Sequence, residues 1–406
     1  MASKLLKTEW IVPGKASVLV GGQFGSEAKG LAAAWLAHEF IPDFANTDST
    51  LICTTNAGAQ AGHTTQYENG LKFVCYHLPT TYVVAHSVGL RAIGYINAGA
   101  IIDIESLSKE LTSHSGYIRE RNQHTLDGGS TFDHYFIKNL WVSPFAATIA
   151  DTDVDNERTA GPNKIASTGK GVGSALASKI LRSPTFKNYE KAYKGLDPSV
   201  SSRLPSVGKI SLNHHMDIGH AVIVEVPQGT GLSINHSGMY PFTTSRDCWV
   251  GSGLNDAGIH PSFLGPVCMV VRTFPIRVGN TVNDDGSINS SGPFYPGSEE
   301  LAWGYFGDDI VPEKTTVTKR IRRIATWSRH QYREALWLNR PNIVFLTFVN
   351  YLKSVNDLCE LVQWMGEDEE AEGIYPERIY SWGPNVEDCG SFHQAVAWLG
   401  KRGPIR

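Results

Sequence analysis

A lysine inside a glycine-rich turn is a device for holding phosphate, and this chain carries one: Gly21-Gly22-Gln23-Phe24-Gly25-Ser26-Glu27-Ala28-Lys29-Gly30. Glycines let backbone N–H groups turn inward, a following helix adds positive potential at its first turn, and Lys29 supplies a mobile cation. Lys29 is followed by Gly30 rather than Ser or Thr, so this is not the Walker A pattern. Alone, such a turn is a tight strand-to-helix connection as often as a phosphate site. Further groups suited to phosphoryl chemistry follow: Gln60-Ala61-Gly62-His63-Thr64, then Thr168 in Ala166-Ser167-Thr168-Gly169-Lys170-Gly171-Val172-Gly173, then Gln228 in Glu225-Val226-Pro227-Gln228-Gly229-Thr230. Lys29, His63 and Gln228 are the donor types that a phosphoryl group in flight requires, since its transfer depends on positioning and electrostatics. A single histidine such as His63 is, by type alone, more often a satisfied structural residue. Near the C-terminus, Thr315-Thr316-Val317-Thr318-Lys319-Arg320-Ile321-Arg322-Arg323 sets hydroxyls beside arginines. Arginine forks clamp carboxylates bidentately, so this run suits a dicarboxylate, although most charge runs are solvated faces.

These groups need a frame to hold them. Residues 16–20 read as a short buried strand, 21–30 as the turn, and 31–40, rich in Ala and Leu, as a helix. Further short apolar runs at 51–55, 221–226, 267–271 and 343–349 read as strands, with helical patterns at 104–111, 174–181 and 328–338 between them. Strands alternating with helices predict an α/β fold with a large, mostly parallel central sheet flanked by helices. Residues 1–14 read as a polar lead-in ended by Pro13-Gly14, and 280–296, full of Asn, Asp, Gly and Ser, as a surface loop. No repeat or linker divides the chain, so 1–406 is expected to form a single domain.

With 406 residues and 41% hydrophobic content, the chain can bury a full core without disulfides. A net charge of −4 gives no electrostatic case for nucleic acid or an anionic membrane. No apolar run approaches the roughly 20 residues of a membrane span. Lys4 and Lys7 precede no apolar signal stretch, and the 6 cysteines include no CxxC pair. A soluble, cytoplasmic protein is expected.

In order along the chain, the four blocks resemble those of the adenylosuccinate synthetase family. The phosphate turn is similar to that family's GxQWGDEGKGK, and Gln60-Ala61-Gly62-His63-Thr64, followed by Tyr76-His77-Leu78-Pro79, to its NAGHT and His-Leu-(Ile/Leu)-Pro. The Thr168 block is similar to GTTGRGIGP, and the Gln228 block with Tyr240-Pro241-Phe242-Thr243-Thr244-Ser245 to EGAQGT…GTYPxVTSS. The resemblance implies a P-loop-like fold, a homodimer, Mg²⁺ near Ser26 and Gly62, and a reaction in which O6 of a purine monophosphate is phosphorylated and then displaced by the amine of L-aspartate. It also implies roles: Lys29, His63 and Gln228 on the phosphoryl groups; Gln60, Thr168 and Thr244 on the substrate nucleotide; Arg182 reaching the 5′-phosphate across the dimer. Thr318, Arg320 and Arg322 would meet aspartate, and Gly25, Gly30, Thr64, Asn350, Gly383 and Pro384 the nucleoside triphosphate. For Arg182, a solvated helix-end arginine is the plainer alternative.

Departures from that pattern sharpen the expectation. Ser26 stands where the family has an aspartate that acts as base at N1 and ligates Mg²⁺, while Asn350 and Phe348 replace the aspartate and lysine of its TKxD motif. Ala28 replaces a loop glycine and Gln60 an asparagine. A shorter, neutral side chain at 26 makes room for the 2-amino group that distinguishes guanine from hypoxanthine. An asparagine at 350 can donate to adenine N1 and accept from its 6-amino group. Together these resemble a phage-encoded branch of the family, which implies dGMP as substrate, ATP or dATP as donor, and a host cytoplasm as location. The alternatives are ordinary amination of IMP with GTP, and a nucleotide-binding sensor that has lost catalysis.

Overall fold

The computed structural model describes residues 5–122, 136–159, 165–166, 168–282, 285–307, 310–315 and 319–402. Ten strands form its central sheet: β1 (Ala16–Gly21), β2 (Leu51–Thr55), β3 (Ile93–Ile96), β4 (Leu140–Val142), β5 (Ser206–Val207), β6 (Ala221–Glu225), β7 (Leu264–Arg272), β8 (Ile343–Thr347), β9 (Glu377–Ser381) and β10 (Cys389–Gly390). Their order across the sheet is β10-β9-β8-β7-β1-β6-β2-β3-β4-β5. Neighbours run parallel throughout, except for antiparallel β10 at one edge. β1 lies at the centre, with Leu19 opposite Glu225 of β6 on one side and Cys268 of β7 on the other.

Both faces are covered, as near-continuous apolar strands require. Leu19, Cys53, Ile223, Cys268 and Phe345 pack with the helix α1 (Lys29–Phe44) and with α2 (Thr80–Ser87) on one face. Val18, Val20, Val224, Met269 and Leu346 pack with α3 (Val250–Ala257), α4 (Arg329–Asn339) and α5 (Val355–Ala371) on the other. The alternation along β1 follows from the period of a strand, in which successive side chains take opposite faces. Among the described residues no helix is long and apolar enough to cross a membrane.

Three expectations change in detail. The lead-in is part of the core: Leu6, Trp10 and Ile11 are buried, and the Lys7 and Thr8 amides each donate to the Glu377 carboxylate at 2.7 Å. The strand expected at 343–349 stops at Thr347, because Phe348 takes a left-handed conformation (φ 59) and starts a short 3₁₀ turn, Val349–Tyr351. The segment expected as a surface loop at 280–296 pairs Thr281–Val282 with Ile288–Asn289, and its far end turns inward, burying Ser291 and Tyr295.

Candidate functional site

In parallel sheets the strand C-termini open onto the site where ligands bind, and the groups singled out in sequence follow those ends. The glycine-rich turn leaves β1, Gln60–Thr64 follow β2, Gln228 follows β6, Phe348 and Asn350 follow β8, and Gly383-Pro384 follow β9. Above this edge lies a cavity of about 700 Å³. It is lined by Gly25, Ser26, Lys29, Gly30, Gln60, Gly62, His63, Thr64, Thr168, Gln228, Thr244 and Arg322 from the expected set.

The turn is built by close approach. A Cβ at Gly21 would meet the Gln228 carbonyl oxygen and Glu27 Oε2, each at 2.6 Å, and Gly25 holds φ +90. Glu27 is fully buried; it accepts from the Gly25 amide at 2.6 Å and from Lys29 Nζ at 3.2 Å. Lys29 is itself 2% exposed, so its cation is carried on a stem packed into the protein and opens only toward the cavity.

Across the turn stands His63. Its Nδ1 lies 3.5 Å from Glu225 Oε2, at the end of β6, and its buried Nε2 has no partner among the described residues. The Glu225 carboxylate also accepts from the Thr80 and Thr81 amides, at 2.9 and 2.7 Å. Burial alone would push the Glu225 carboxyl up, yet His63 and the two amides outweigh it and hold it below the usual carboxylate range. The Glu225 carboxylate fixes the ring's orientation through Nδ1 and leaves Nε2 as the atom open to a ligand in the cavity that His63 lines.

At the opposite wall, Arg322 Nη1 donates to Ser26 Oγ at 2.6 Å, a contact between residues 296 apart in sequence. Arg272, at the end of β7, is 1% exposed; it pairs with Glu313 at 2.6 Å, donates to the Ser26 carbonyl at 3.1 Å and stacks 3.7 Å over the Phe348 ring. Tyr351 donates to the same Glu313 at 2.7 Å. Burial would raise the Glu313 carboxyl, but the Arg272 charge overrides it and keeps it low, so Glu313 is an anchored anion rather than a base. Burial also lowers the Arg322 guanidinium, in spite of Glu313.

Gln60 Nε2 reaches Thr244 Oγ1 at 3.3 Å, so two expected nucleotide contacts already touch. Arg182 is exposed at the end of the helix Val172–Ile180 and does not line the cavity; neither do Arg320, Asn350, Gly383 or Pro384. Arg320 stays beside the site through its amide, which donates to Thr315 Oγ1 at 3.0 Å. Thr318 lies outside the described residues. Sequence reasoning assigned no role to Glu225, Arg272, Arg277 or Glu313. A charged residue ending an apolar strand, as Glu225 and Arg272 do, is the signal that was there to be read.

The adenylosuccinate synthetase family model matches residues 18–187 and 184–397. The N6-succino-2-amino-2′-deoxyadenylate synthase of Salmonella phage PMBT28 is 33% identical over 92% of this chain and 96% of its own length. That of Acinetobacter phage SH-Ab 15497 is 32% identical over 86% and 87%. Among solved structures, the succinoaminodeoxyadenylate synthetase of cyanophage S-2L, bound to dGMP and to dATP as an energy donor, is similar with a TM-score of 0.76 and 27% identity, covering 96% of this chain and 99% of that one. The adenylosuccinate synthetase of Plasmodium falciparum shares the fold at a TM-score of 0.64 and 17% identity.

Proposed function

The chain belongs to the adenylosuccinate synthetase family, and from that premise we propose that it joins L-aspartate to C6 of dGMP, using ATP or dATP. The products are N6-succino-2-amino-2′-deoxyadenylate, phosphate, and ADP or dADP. The observation that carries this reading is Ser26 on the cavity wall, a short neutral side chain tied by Arg322 where the family pattern has a carboxylate. A guanine 2-amino group has room there. The phage relatives, alike over most of the chain, favour the same substrate.

The chemistry follows from the donors. A purine C6 carbonyl is a poor electrophile, so N1 gives up its proton as O6 takes the γ-phosphoryl group from the triphosphate, ADP or dADP departs, and the phosphorylated O6 becomes a leaving group. Lys29 and His63, the latter through Nε2, stabilise charge on the transferring phosphoryl, and the Gln228 amide meets the C6 substituent. The aspartate amine then displaces phosphate at C6. Gln60, Thr168 and Thr244 hold the substrate nucleotide, with the 5′-phosphate completed by Arg182 from a second copy. Thr318, Arg320 and Arg322 receive the aspartate carboxylates. Gly25, Gly30 and Thr64 serve the triphosphate, and Asn350, Gly383 and Pro384 its base. The oxygen donors left at the turn, the Ser26 hydroxyl and the Gly62 backbone, are hard and neutral. They would hold a Mg²⁺, whose charge would offset that of the phosphates.

Phosphate release separates the readings. It is measured with dGMP or IMP, with ATP, dATP or GTP, and with or without aspartate. Aspartate-dependent release with dGMP and ATP or dATP is expected. Release confined to IMP with GTP would return the protein to ordinary adenylosuccinate synthesis, and no release with any pairing would leave a nucleotide-binding protein without catalysis.

A further inference from the structure

The Gln228 side chain enters the cavity from a backbone that has little freedom. Its φ is +64, and the glycines of the phosphate turn press against it: a Cβ at Gly25 would meet the Gln228 Cα at 2.8 Å. What remains to be settled is the direction of the amide. Its oxygen and nitrogen ends are alike in shape and opposite in hydrogen bonding, so the wrong end costs a contact rather than a clash. The C6 oxygen of a purine and the oxygens of a phosphoryl group are all acceptors, and only the NH₂ end suits them.

Behind the cavity wall stands Cys248, fully buried, with Sγ 3.2 Å from Gln228 Oε1. Its own backbone is fixed, since its amide donates to Ser233 Oγ at 2.9 Å and its carbonyl accepts from Thr230 Oγ1 at 3.4 Å. Burial pushes the thiol up to about 12, so near neutral pH it keeps its proton and can donate. We propose that Cys248 is a positioning residue: its S–H holds the Gln228 oxygen at the rear wall and thereby turns the amide NH₂ toward the C6 substituent. The proposal rests on the reading that Gln228 meets that substituent. It explains why a buried thiol sits against a cavity-lining amide, where a purely apolar side chain would leave the amide free to flip.

Four proteins test it in steady-state phosphate release with dGMP, aspartate and ATP, alongside the wild type: Cys248→Ala, Cys248→Ser, Gln228→Ala and the Cys248→Ala/Gln228→Ala double variant. Loss of one aligned hydrogen bond predicts a kcat about tenfold lower for Cys248→Ala, with KM for ATP unchanged. Cys248→Ser restores a donor and should recover most of the loss. In the Gln228→Ala background, Cys248→Ala should add nothing, because the amide it orients is gone. Thermal melting of each variant separates loss of fold from loss of orientation. Full kcat in Cys248→Ala, a Ser variant as impaired as Ala at unchanged melting temperature, or an additive further drop in the double variant overturns the proposal. Absence of wild-type turnover with dGMP overturns the functional reading itself, whereas wild-type turnover with an unaffected Cys248→Ala variant removes only the role of Cys248.

Discussion

An aspartate in place of Ser26 would set a carboxylate against Arg322, whose Nη1 now donates to the serine hydroxyl at 2.6 Å. The new ion pair would draw Arg322 away from the aspartate substrate and crowd the space left for the guanine 2-amino group. Ser26→Asp is therefore expected to lower dGMP turnover about ten- to hundredfold, in line with ~1–3 kcal/mol for a mispaired polar group in a closed site. Undiminished turnover would refute this account of Ser26; no gain of IMP activity is expected, since one side chain does not rebuild a base site. Asn350 poses the complementary question at the triphosphate. Its position after β8, beside a Phe348 stacked on Arg272, leaves an aromatic surface where the family pattern has a lysine. Asn350→Asp should shift the ratio of kcat/KM values from ATP toward GTP, because a carboxylate accepts from both guanine N1–H and its 2-amino group and has nothing to donate to adenine N1. Equal use of GTP and ATP by the wild type would remove Asn350 as the selector. Lys29, His63 and Gln228 could be picked out in sequence as donor types in short glycine-marked blocks, and Ser26 only through the resemblance; all four line the cavity. Glu313 could not be, because what defines it is its contact with Arg272 far away in the chain; Glu225 was marked only as a charged strand end, and its contact with His63 left no sign in the sequence.

At the scale of elements, the join between β1 and α1 carries two opposed strains. Ala28 caps α1 in the left-handed region, φ 63 and ψ 44, where an L side chain costs roughly 1–2 kcal/mol. Ala28→Gly should relieve that strain, partly offset by the greater freedom of glycine when unfolded. A rise of about 0.5–1 kcal/mol in unfolding free energy is expected, read as a higher denaturant midpoint at unchanged slope; a lower midpoint would count against a strained Ala28. Gly30, two residues further, behaves the other way. A Cβ there would meet the Thr64 carbonyl oxygen at 2.5 Å and the His63 carbonyl carbon at 2.7 Å, both backbone atoms that cannot step aside. Gly30→Ala should destabilise by about 1–3 kcal/mol, and because the push falls on His63 it should lower kcat as well. Five of the ten sheet strands, β1, β2, β6, β7 and β8, were readable from their apolar runs, within three residues at their ends, whereas the shorter or more polar β3, β4, β5, β9 and β10 were not. The end of β8 was misplaced because a left-handed Phe348 leaves no mark in a hydrophobicity pattern. The inward turn near Ser291 and Tyr295 was missed because a segment rich in Asn, Gly and Ser looks solvated whichever way its end is packed.

For the whole molecule, the parallel sheet gathers residues from Gly25 to Arg322 around one cavity, yet Arg182 stands outside it. Parallel order was legible, since alternating strands and helices admit few other arrangements. A contribution from a second copy is implied only by the resemblance, because one chain's periodicity carries no record of a partner. The surface near Arg182 is consistent with a partner. Ile180 and Leu181 are 68% and 78% exposed at the end of the same helix, and Lys179 donates to the carbonyl of Phe145, itself 54% exposed. Such apolar groups beside an arginine suit an interface that carries the guanidinium to the neighbouring site. If Arg182 completes the 5′-phosphate site of the other subunit, its loss and the loss of Lys29 damage different halves of each site. Arg182→Ala and Lys29→Ala homodimers should each fall at least about a hundredfold in activity, since a desolvated charge-assisted contact is worth several kcal/mol. In a mixed dimer one site has both defects and the other has neither, so mixing the two inactive proteins should restore up to about a quarter of wild-type activity at random exchange of equal amounts. Recovery should follow the time course of subunit exchange, measured by fluorescence transfer between labelled chains. Exchange without recovery would place Arg182 in its own subunit's site or outside catalysis, and a chain that sediments as a monomer while fully active would dismiss the shared site altogether.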